Sequence, residues 1–376
     1  MKTIVLITNI PTPYRLPLFN EINGQLNEKG MELHVIFSES GYKRRKFEID
    51  FTKVNFKYTI LEGGKITSQK DSEKTYFFYS GLWKVLNAIK PAQIIVAGFS
   101  SASIITALWS RKNKTPFIIW SGSITTEQRN TSFIRRLIRK QLIQRAYSFI
   151  AYGTKAKDYL IRNGAEPSQI QIGINTVDTT FYKEETKKLK STFLESGIFT
   201  FIYLGYLVPR KNVNKVLEAV RLLNEKRSDF RVIIIGDGES KSELMEFSEK
   251  NQLNHRIEFT GYKQKQELPY FFAQADALLF QSNFDIWGLV LNEAMAAGIC
   301  CLSTKNAGAS FDLIQENING MTIDYNQTQA VAEKMNWMID HREKVKLMGE
   351  KAILFINENA NLSKSANGFI LALKEK

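Results

Sequence analysis

Cysteine is almost missing from this 376-residue chain: Cys300 and Cys301 stand side by side. Neighbouring thiols make no disulfide framework. The three histidines (His34, His255 and His341) are scattered, so no spaced metal-ligand motif exists either. The thiols read as buried apolar groups in a reducing compartment. Long hydrophobic runs are also lacking. The apolar run after Met1-Lys-Thr is too short for the core of a secretion signal and suits a buried first strand. Residues 94–109 carry no charge but fall short of the ~20 residues that cross a bilayer. They read better as a strand, a Ser-rich loop and a helix start. These absences place the chain in the cytoplasm. No low-complexity segment or short-period repeat occurs. Hydrophobic residues make up 44% and charged residues 24%, values of a folded globular protein long enough for two domains.

The net charge of +13 is distributed unevenly. Residues 1–176 hold 26 Lys+Arg and 12 Asp+Glu, so +14. The remaining 25 basic and 26 acidic residues give −1. The excess in the first part implies an anionic partner there. It concentrates in Lys43-Arg-Arg-Lys46 and from Arg129 to Arg145. In the second stretch Phe133, Ile134, Leu137, Ile138 and Leu142 follow helical spacing, with Arg135, Arg136, Arg139 and Lys140 on another face. Two readings stay open: a core-facing helix with a solvated basic face, or a basic amphipathic helix lying on an anionic membrane. No aromatic RNA-binding motif or zinc-finger spacing accompanies the charge, so no nucleic-acid partner is expected.

Short β-branched runs alternate with helical patterns. Lys2–Thr8, Glu32–Phe37, Ala92–Ala97, Pro116–Trp120 and Ser148–Ala151 form one group of expected strands. Phe199–Leu204, Arg231–Ile235, Ile257–Thr260, Ala277–Gln281 and Ile299–Ser303 form a second. Helical patterns run over Leu16–Lys29, Phe133–Ala146, Val213–Lys226, Lys241–Asn251, Glu267–Gln274 and Leu291–Ala297. The alternation predicts an α/β protein with two parallel sheets covered on both faces. Expected domains are 1–176 and 177–359, with a linker from Ile174-Asn-Thr-Val-Asp178 through the polar stretch to Ser196. A C-terminal helix within about 360–376 packs back on the first domain in this reading. Ligands of open parallel sheets bind at the carboxyl ends of the strands.

Four strand-end loops of the second group hold candidate chemistry. In Asp285-Ile-Trp-Gly-Leu-Val-Leu-Asn-Glu293, Gly288 turns the chain into a helix. The first N–H groups of that helix, around Gly288, Leu289 and Val290, suit phosphate oxygens. Asp285 and Glu293 can accept hydrogen bonds from sugar and ribose hydroxyls. Equally, Asp285 could cap the helix and Glu293 complement its dipole. Gly205-Tyr-Leu-Val-Pro-Arg-Lys-Asn212 places Arg210 and Lys211 where a diphosphate would sit, unless they are a solvated pair. Gly236-Asp-Gly238 and Gly261-Tyr262 follow their own strands and are weak alone. In the first group, Asn9-Ile-Pro-Thr-Pro-Tyr-Arg15 offers Tyr14 and Arg15 to a ligand at the strand ends, or is a rigid turn with Arg15 on the surface. Ser121 and Ser123 follow the strand Pro116–Trp120.

Together these motifs resemble the GT-B retaining glycosyltransferases of family 4, the glycosyl transferases group 1. The family's E-x-F-G-L-x-x-x-E-A-M-A segment is matched by Asp285 to Ala296, its N-G-V-D element by Asn175-Thr-Val-Asp178, and its G-R-L-V-x-x-K loop by Gly205 to Lys211. Gly236–Gly238 and Phe259-Thr-Gly261 match two further loops, so the ordered matches cover about residues 172–325. The resemblance implies two Rossmann-like doubly wound domains facing across a cleft, the first for acceptor and the second for a nucleotide-sugar donor. It implies retaining transfer of a sugar from a nucleotide diphosphate sugar, UDP-linked by preference, to a glycan or polyprenyl-diphosphate-linked acceptor in bacterial surface polysaccharide or glycoconjugate synthesis. A protein acceptor or a non-catalytic binding role are the alternatives. The resemblance assigns Glu293 to the ribose, Asp285 to the donor sugar and Lys211 to the leaving diphosphate, with no cofactor and no metal. A position peripheral to the inner face of the membrane would suit such an acceptor and the basic first domain.

The chain departs from the family in three places. Asp285 stands where the first Glu is usual. Tyr206 stands where a phosphate-binding Arg is common, for which Arg210 would compensate. No His follows the strand Pro116–Trp120. His34, inside an apolar strand, reads as a satisfied core histidine, so no general base is evident. Retaining chemistry tolerates that, because the leaving phosphate can accept the acceptor's proton.

Overall fold

A computed structural model describes residues 1–41, 47–67, 75–125, 132–193 and 197–374. The Lys43-Arg-Arg-Lys46 cluster and Arg129 lie outside the described residues. Two compact units emerge: Met1–Val177 with Leu362–Lys376, and Asp178–Asn361.

The first unit contains β1 (Lys2–Thr8), α1 (Leu16–Asn27), β2 (Met31–Phe37), β3 (Lys57–Ile60), β4 (Lys65–Thr67), β5 (Thr75–Phe77) and α2 (Leu82–Ile89). It continues with β6 (Gln93–Ala97), α3 (Ser101–Asn113), β7 (Phe117–Ser121), α4 (Phe133–Arg145), β8 (Ser148–Ala151), α5 (Thr154–Arg162) and β9 (Ile170–Ile172). Seven parallel strands follow the order β3-β2-β1-β6-β7-β8-β9, while β4 and β5 pair as an antiparallel ribbon. The central runs Ile4–Ile7 and Ile94–Val96 are fully buried, as a sheet covered on both faces requires.

The second unit contains α6 (Thr179–Lys190), β10 (Phe199–Leu204), α7 (Val213–Asn224), β11 (Phe230–Ile235), α8 (Lys241–Lys250), β12 (Ile257–Gly261) and α9 (Leu268–Phe272). Then follow β13 (Ala277–Phe280), α10 (Leu289–Ala296), β14 (Cys300–Thr304), α11 (Gly308–Leu313), β15 (Gly320–Ile323), α12 (Thr328–Asp340) and α13 (Arg342–Asn359). Its parallel sheet runs β12-β11-β10-β13-β14-β15. Phe201, Val232, Leu279 and Leu302 from four of these strands join Val216 and Val220 of α7 in one core. At about 1.5–3 kcal/mol per buried large side chain, such a cluster supplies much of the driving force for this unit. Cys300 and Cys301 are buried in β14, and burial pushes the Cys300 thiol up to about 12.

The last helix, α14 (Leu362–Leu371), returns to the first unit. Phe369 meets Trp120 with ring centroids 5.1 Å apart, and Ser148 Oγ donates to the Ala372 carbonyl. Gln93 bonds both the carbonyl and the N–H of Lys374.

Sequence and structure differ in several elements. The polar stretch expected as linker is largely helix α6, whose face with Tyr182 and Thr186 is buried. Strands β3, β9 and β15 are short edge or near-edge strands with mixed burial, and their weak hydrophobic pattern hid them. His34 Nε2 lies 2.8 Å from Thr59 Oγ1, and burial lowers the imidazole's pKa, as a satisfied strand histidine would show. Helix α4 departs most from a core-facing helix. Phe133, Ile134, Leu137 and Ile138 are 71%, 67%, 50% and 38% exposed, and only Leu142 and Ile143 are buried. Its apolar stripe therefore covers no core within the first unit.

Candidate functional site

The second sheet changes winding direction between β10 and β13: the chain passes outward through β11 and β12, then returns to β13 on the other side of β10. Parallel registers Leu204↔Ile235 and Ile202↔Leu278 bring the carboxyl ends of β11, β10 and β13 into one row. Such a switch point leaves a crevice, because neighbouring loops diverge to opposite faces.

Gly205 and Gly236 stand in that row, and Gly261 extends it at the end of the neighbouring β12. Gly205 N–H donates to the Ile235 carbonyl, and Gly236 N–H donates to the Gly261 carbonyl at 2.9 Å. Leu207 N–H donates to the Asp237 carbonyl. A Cβ on Gly236 would strike the Gly205 carbonyl oxygen, so glycine there lets the two loops lie backbone against backbone. Tyr262, half-buried, follows on the same row.

Lys211 and Arg210 end the turn Pro209–Lys211. Lys211 Nζ donates to Asp285 Oδ2 at 2.5 Å and lies 5.6 Å from the centre of the Phe280 ring. Arg210 sits 3.7 Å from the same carboxylate oxygen and donates to the Phe284 carbonyl at 2.6 Å. Ser282 Oγ donates to the same carbonyl at 3.0 Å. The loops after β10 and β13 are thus latched by one carboxylate and two cations. Asp285 does not cap α10: Gly288 holds the N-cap position, at φ +111°. A Cβ there would lie 2.6 Å from Phe280 Cζ, so both conformation and space require glycine. Leu289 and Val290 follow as the first helical residues, whose N–H groups have no acceptor within the helix. The loop is pinned from the other side by Trp287, buried, whose indole donates to the buried Asn292 amide oxygen.

Glu293 lies one turn into α10. The phenol of Tyr182, from α6, donates to its Oε1 at 2.9 Å. Desolvation pushes the Glu293 carboxyl up to about 7, opposed by the Tyr182 hydrogen bond and the charge of Lys265. Lys265 Nζ stands 4.5 Å from the Phe181 ring centre and 3.8 Å from Asp178. A helix-dipole partner would sit in solvent at its ordinary value; this carboxyl is packed into the fold instead. Tyr182 and Lys265 escaped the sequence reading, because each meets its partner across the fold, whereas the Trp287–Asn292 bond spans five residues of the Asp285–Glu293 segment itself. Gln281, fully buried just after β13, has no side-chain partner among the described residues.

The first unit carries its own strand-end cluster. Arg15 is not on the surface: its guanidinium donates to Thr8 Oγ1 at 3.2 Å and to the Tyr152 hydroxyl at 2.6 Å, and stacks 4.6 Å from the Trp120 ring centre. Tyr14 is half-buried beside it, with Arg15 5.9 Å from its ring centre. Ser121 is buried and accepts from the Ser123 N–H, so its hydroxyl serves the turn, whereas Ser123 is half-buried. Among the described residues no group of three or more metal-ligating side chains gathers, and no helix is long and apolar enough to cross a membrane.

The chain is similar to known proteins. Residues 184–355 match the model of glycosyl transferases group 1. An uncharacterized glycosyltransferase of Methanocaldococcus jannaschii is 27% identical over 216 residues, 57% of this chain and 58% of the relative. The lipopolysaccharide 1,6-galactosyltransferase of Escherichia coli K12 is 28% identical over 170 residues, 43% of this chain and 46% of that one. The chain thus matches about half the length of these relatives. HepE of Anabaena, solved with UDP and with UDP-glucose, superposes in its UDP complex with a TM-score of 0.77 at 17% identity, over 98% of both chains. Residues 184–355 are thus similar to the glycosyl transferases group 1, and the chain as a whole has the GT-B fold.

Proposed function

We propose that the protein transfers a sugar from a nucleotide diphosphate sugar, with UDP as the carrier, to a glycan or polyprenyl-diphosphate-linked acceptor, retaining the configuration at the anomeric carbon. The observation that carries this reading is the latch at the switch point of the second unit, where Lys211, Arg210 and Asp285 meet beside the open N-terminus of α10. The UDP complexes of the Anabaena neighbour support the choice of carrier, and the Escherichia coli galactosyltransferase supports a glycan acceptor. In this reading Glu293 receives the ribose hydroxyls. The first N–H groups of α10, with the positive end of its dipole, and Lys211 receive the diphosphate. As the anomeric carbon–phosphate oxygen bond breaks, negative charge grows on the departing diphosphate, where these groups stabilise it. The acceptor oxygen bonds to the same face of the anomeric carbon, and its proton passes to the departing phosphate oxygen. Asp285 faces the donor sugar. Arg15 and Tyr14, at the strand ends of the first unit, contact the acceptor.

The acceptor of this reading is membrane-borne. The unpartnered stripe Phe133, Ile134, Leu137 and Ile138, flanked by Arg135, Arg136, Arg139 and Lys140, fits an anionic bilayer surface.

A thermal-shift panel of nucleotide sugars tests the donor, followed by assay of nucleotide diphosphate release with lipid-linked acceptors. Stabilisation by a UDP-sugar and acceptor-dependent UDP release are expected. A panel in which no nucleotide sugar raises the melting temperature overturns the reading.

A further inference from the structure

A second basic site lies at the other end of the first sheet. β7 enters the sheet at Phe117 and leaves it at Ser121, so the amino end of this strand is about 15 Å from the Arg15 cluster. At that amino end is a cavity of about 500 Å³. Its cations come from three parts of the chain: Arg111 and Lys114 from the end of α3, Arg145 from the end of α4, and Lys374 from the C-terminal tail. Among the described residues, no carboxylate lines it. Among the described residues, no ion pair neutralises any of the four. Lys374 Nζ instead lies 5.7 Å from the ring centre of Tyr147, which forms one wall.

Cations commonly complement helix C-termini, and α3 and α4 both end here. Each terminus carries about half a negative charge, so the two together supply about −1. Four cations exceed that fourfold. Lys374 belongs to neither terminus, yet its backbone is fixed at the site: its carbonyl accepts from Gln93 Nε2 and its N–H donates to Gln93 Oε1. In the wall of the cavity Ser110 is 4% exposed, and its hydroxyl has no partner among the described residues. Arg111 and Arg145 offer planar forks, and Lys114 and Lys374 point charges. That donor set matches the oxygens of one or two phosphoryl groups, while the Tyr147 ring offers an apolar wall.

We propose that this cavity binds a phosphoryl-bearing ligand, either a free phosphorylated metabolite or the phosphate headgroup of a lipid, at a site separate from the donor loops. The site rests on the first unit alone and survives if the donor proposed above is wrong.

Titration calorimetry on the full chain, with saturating UDP present, tests it with two probes: inorganic pyrophosphate and water-soluble dioctanoyl phosphatidic acid. The control is Lys114→Gln/Arg145→Gln, two exposed positions whose replacement leaves the circular dichroism spectrum unchanged. Saturable binding of either probe, weakened at least about tenfold in the double variant, supports the site. Equal affinity for the two probes assigns it to the free phosphate. Tighter binding of the lipid, with that preference lost in the variant, assigns it to a headgroup. Absence of binding by both probes, or binding that the double variant leaves unchanged, overturns the proposal. UDP failing to bind in the same experiment would count against the donor reading only.

Discussion

The Tyr182 phenol donates to Glu293 Oε1 across 2.9 Å, tying α6 to α10. This bond does not offset the cost of burying the carboxylate, for desolvation still pushes Glu293 up to about 7. A folded-state value above the unfolded one means the folded chain binds the proton more tightly. The resulting stability is full below the unfolded value of about 4.5 and is lost as pH rises through about 7. Glu293→Gln, neutral at every pH, keeps an acceptor for Tyr182. Relative to wild type it should gain up to about 3 kcal/mol at about pH 8, reduced by solvent screening, and little at about pH 5. Urea denaturation at both pH values measures this. A variant less stable than wild type at the higher pH contradicts it.

Lys211 and Asp285 make the second relationship with consequences. Lys211→Met should lower kcat by about 10²–10³-fold, the scale of losing one charge-stabilising donor. It should also destabilise the fold by about 1–3 kcal/mol, because Asp285 keeps only the more distant Arg210. Adding Asp285→Asn should restore the stability without restoring turnover. If turnover returned with stability, Lys211 would be a structural partner only.

Arg210 braces the β13 loop through the Phe284 carbonyl while standing near Asp285. If it also replaces the arginine that Tyr206 displaces, Arg210→Ala should lower kcat/KM by about tenfold or more, the scale of one charge-assisted hydrogen bond. Unchanged turnover would leave it the brace alone.

Asp285→Glu restores the residue usual at this position and adds a methylene toward the proposed sugar site. The ratio of kcat/KM between two UDP-sugars should shift by about tenfold while UDP affinity stays constant. An unchanged ratio would remove Asp285 from the control of donor choice.

The exposed stripe of α4 predicts association with anionic vesicles. The full chain should float with liposomes rich in phosphatidylglycerol at low salt and be released as salt rises. Phe133→Ser/Ile134→Ser/Leu137→Ser should remain at the bottom of the gradient. Because these residues are 50–71% exposed, the triple variant should keep its melting temperature. Flotation unaffected by the triple change would move the contact elsewhere.

Much of this was legible in the sequence, for identifiable reasons. The central strands are continuous apolar runs, which is how buried parallel strands read. The strand-end motifs were legible because glycine, cation and carboxylate each stand just after such a strand. Edge strands β3, β9 and β15 were not, since half-exposed residues carry little periodicity. The environment of Glu293 was hidden as well. Its partner Tyr182 is 111 residues away, inside a stretch whose polarity suggested a linker. For α4 the spacing gave the stripe but not its direction, because a core-facing and a membrane-facing helix share one pattern. Arg15 was legible as a candidate, while its packing between Trp120 and Tyr152 depends on strands joined only in the fold.

Calorimetric titration of UDP into the full chain, from about pH 5 to about pH 8, tests the central claim most directly. One UDP per chain is expected, with affinity rising by up to about tenfold per pH unit until about pH 7, as Glu293 ionises to receive the ribose hydroxyls. Glu293→Gln, whose own slope reports only the titration of the UDP phosphate, should lack that added rise and bind at least about tenfold more weakly at the higher pH. Failure of the wild-type chain to bind UDP, or equal binding by Glu293→Gln across the range, would contradict the account.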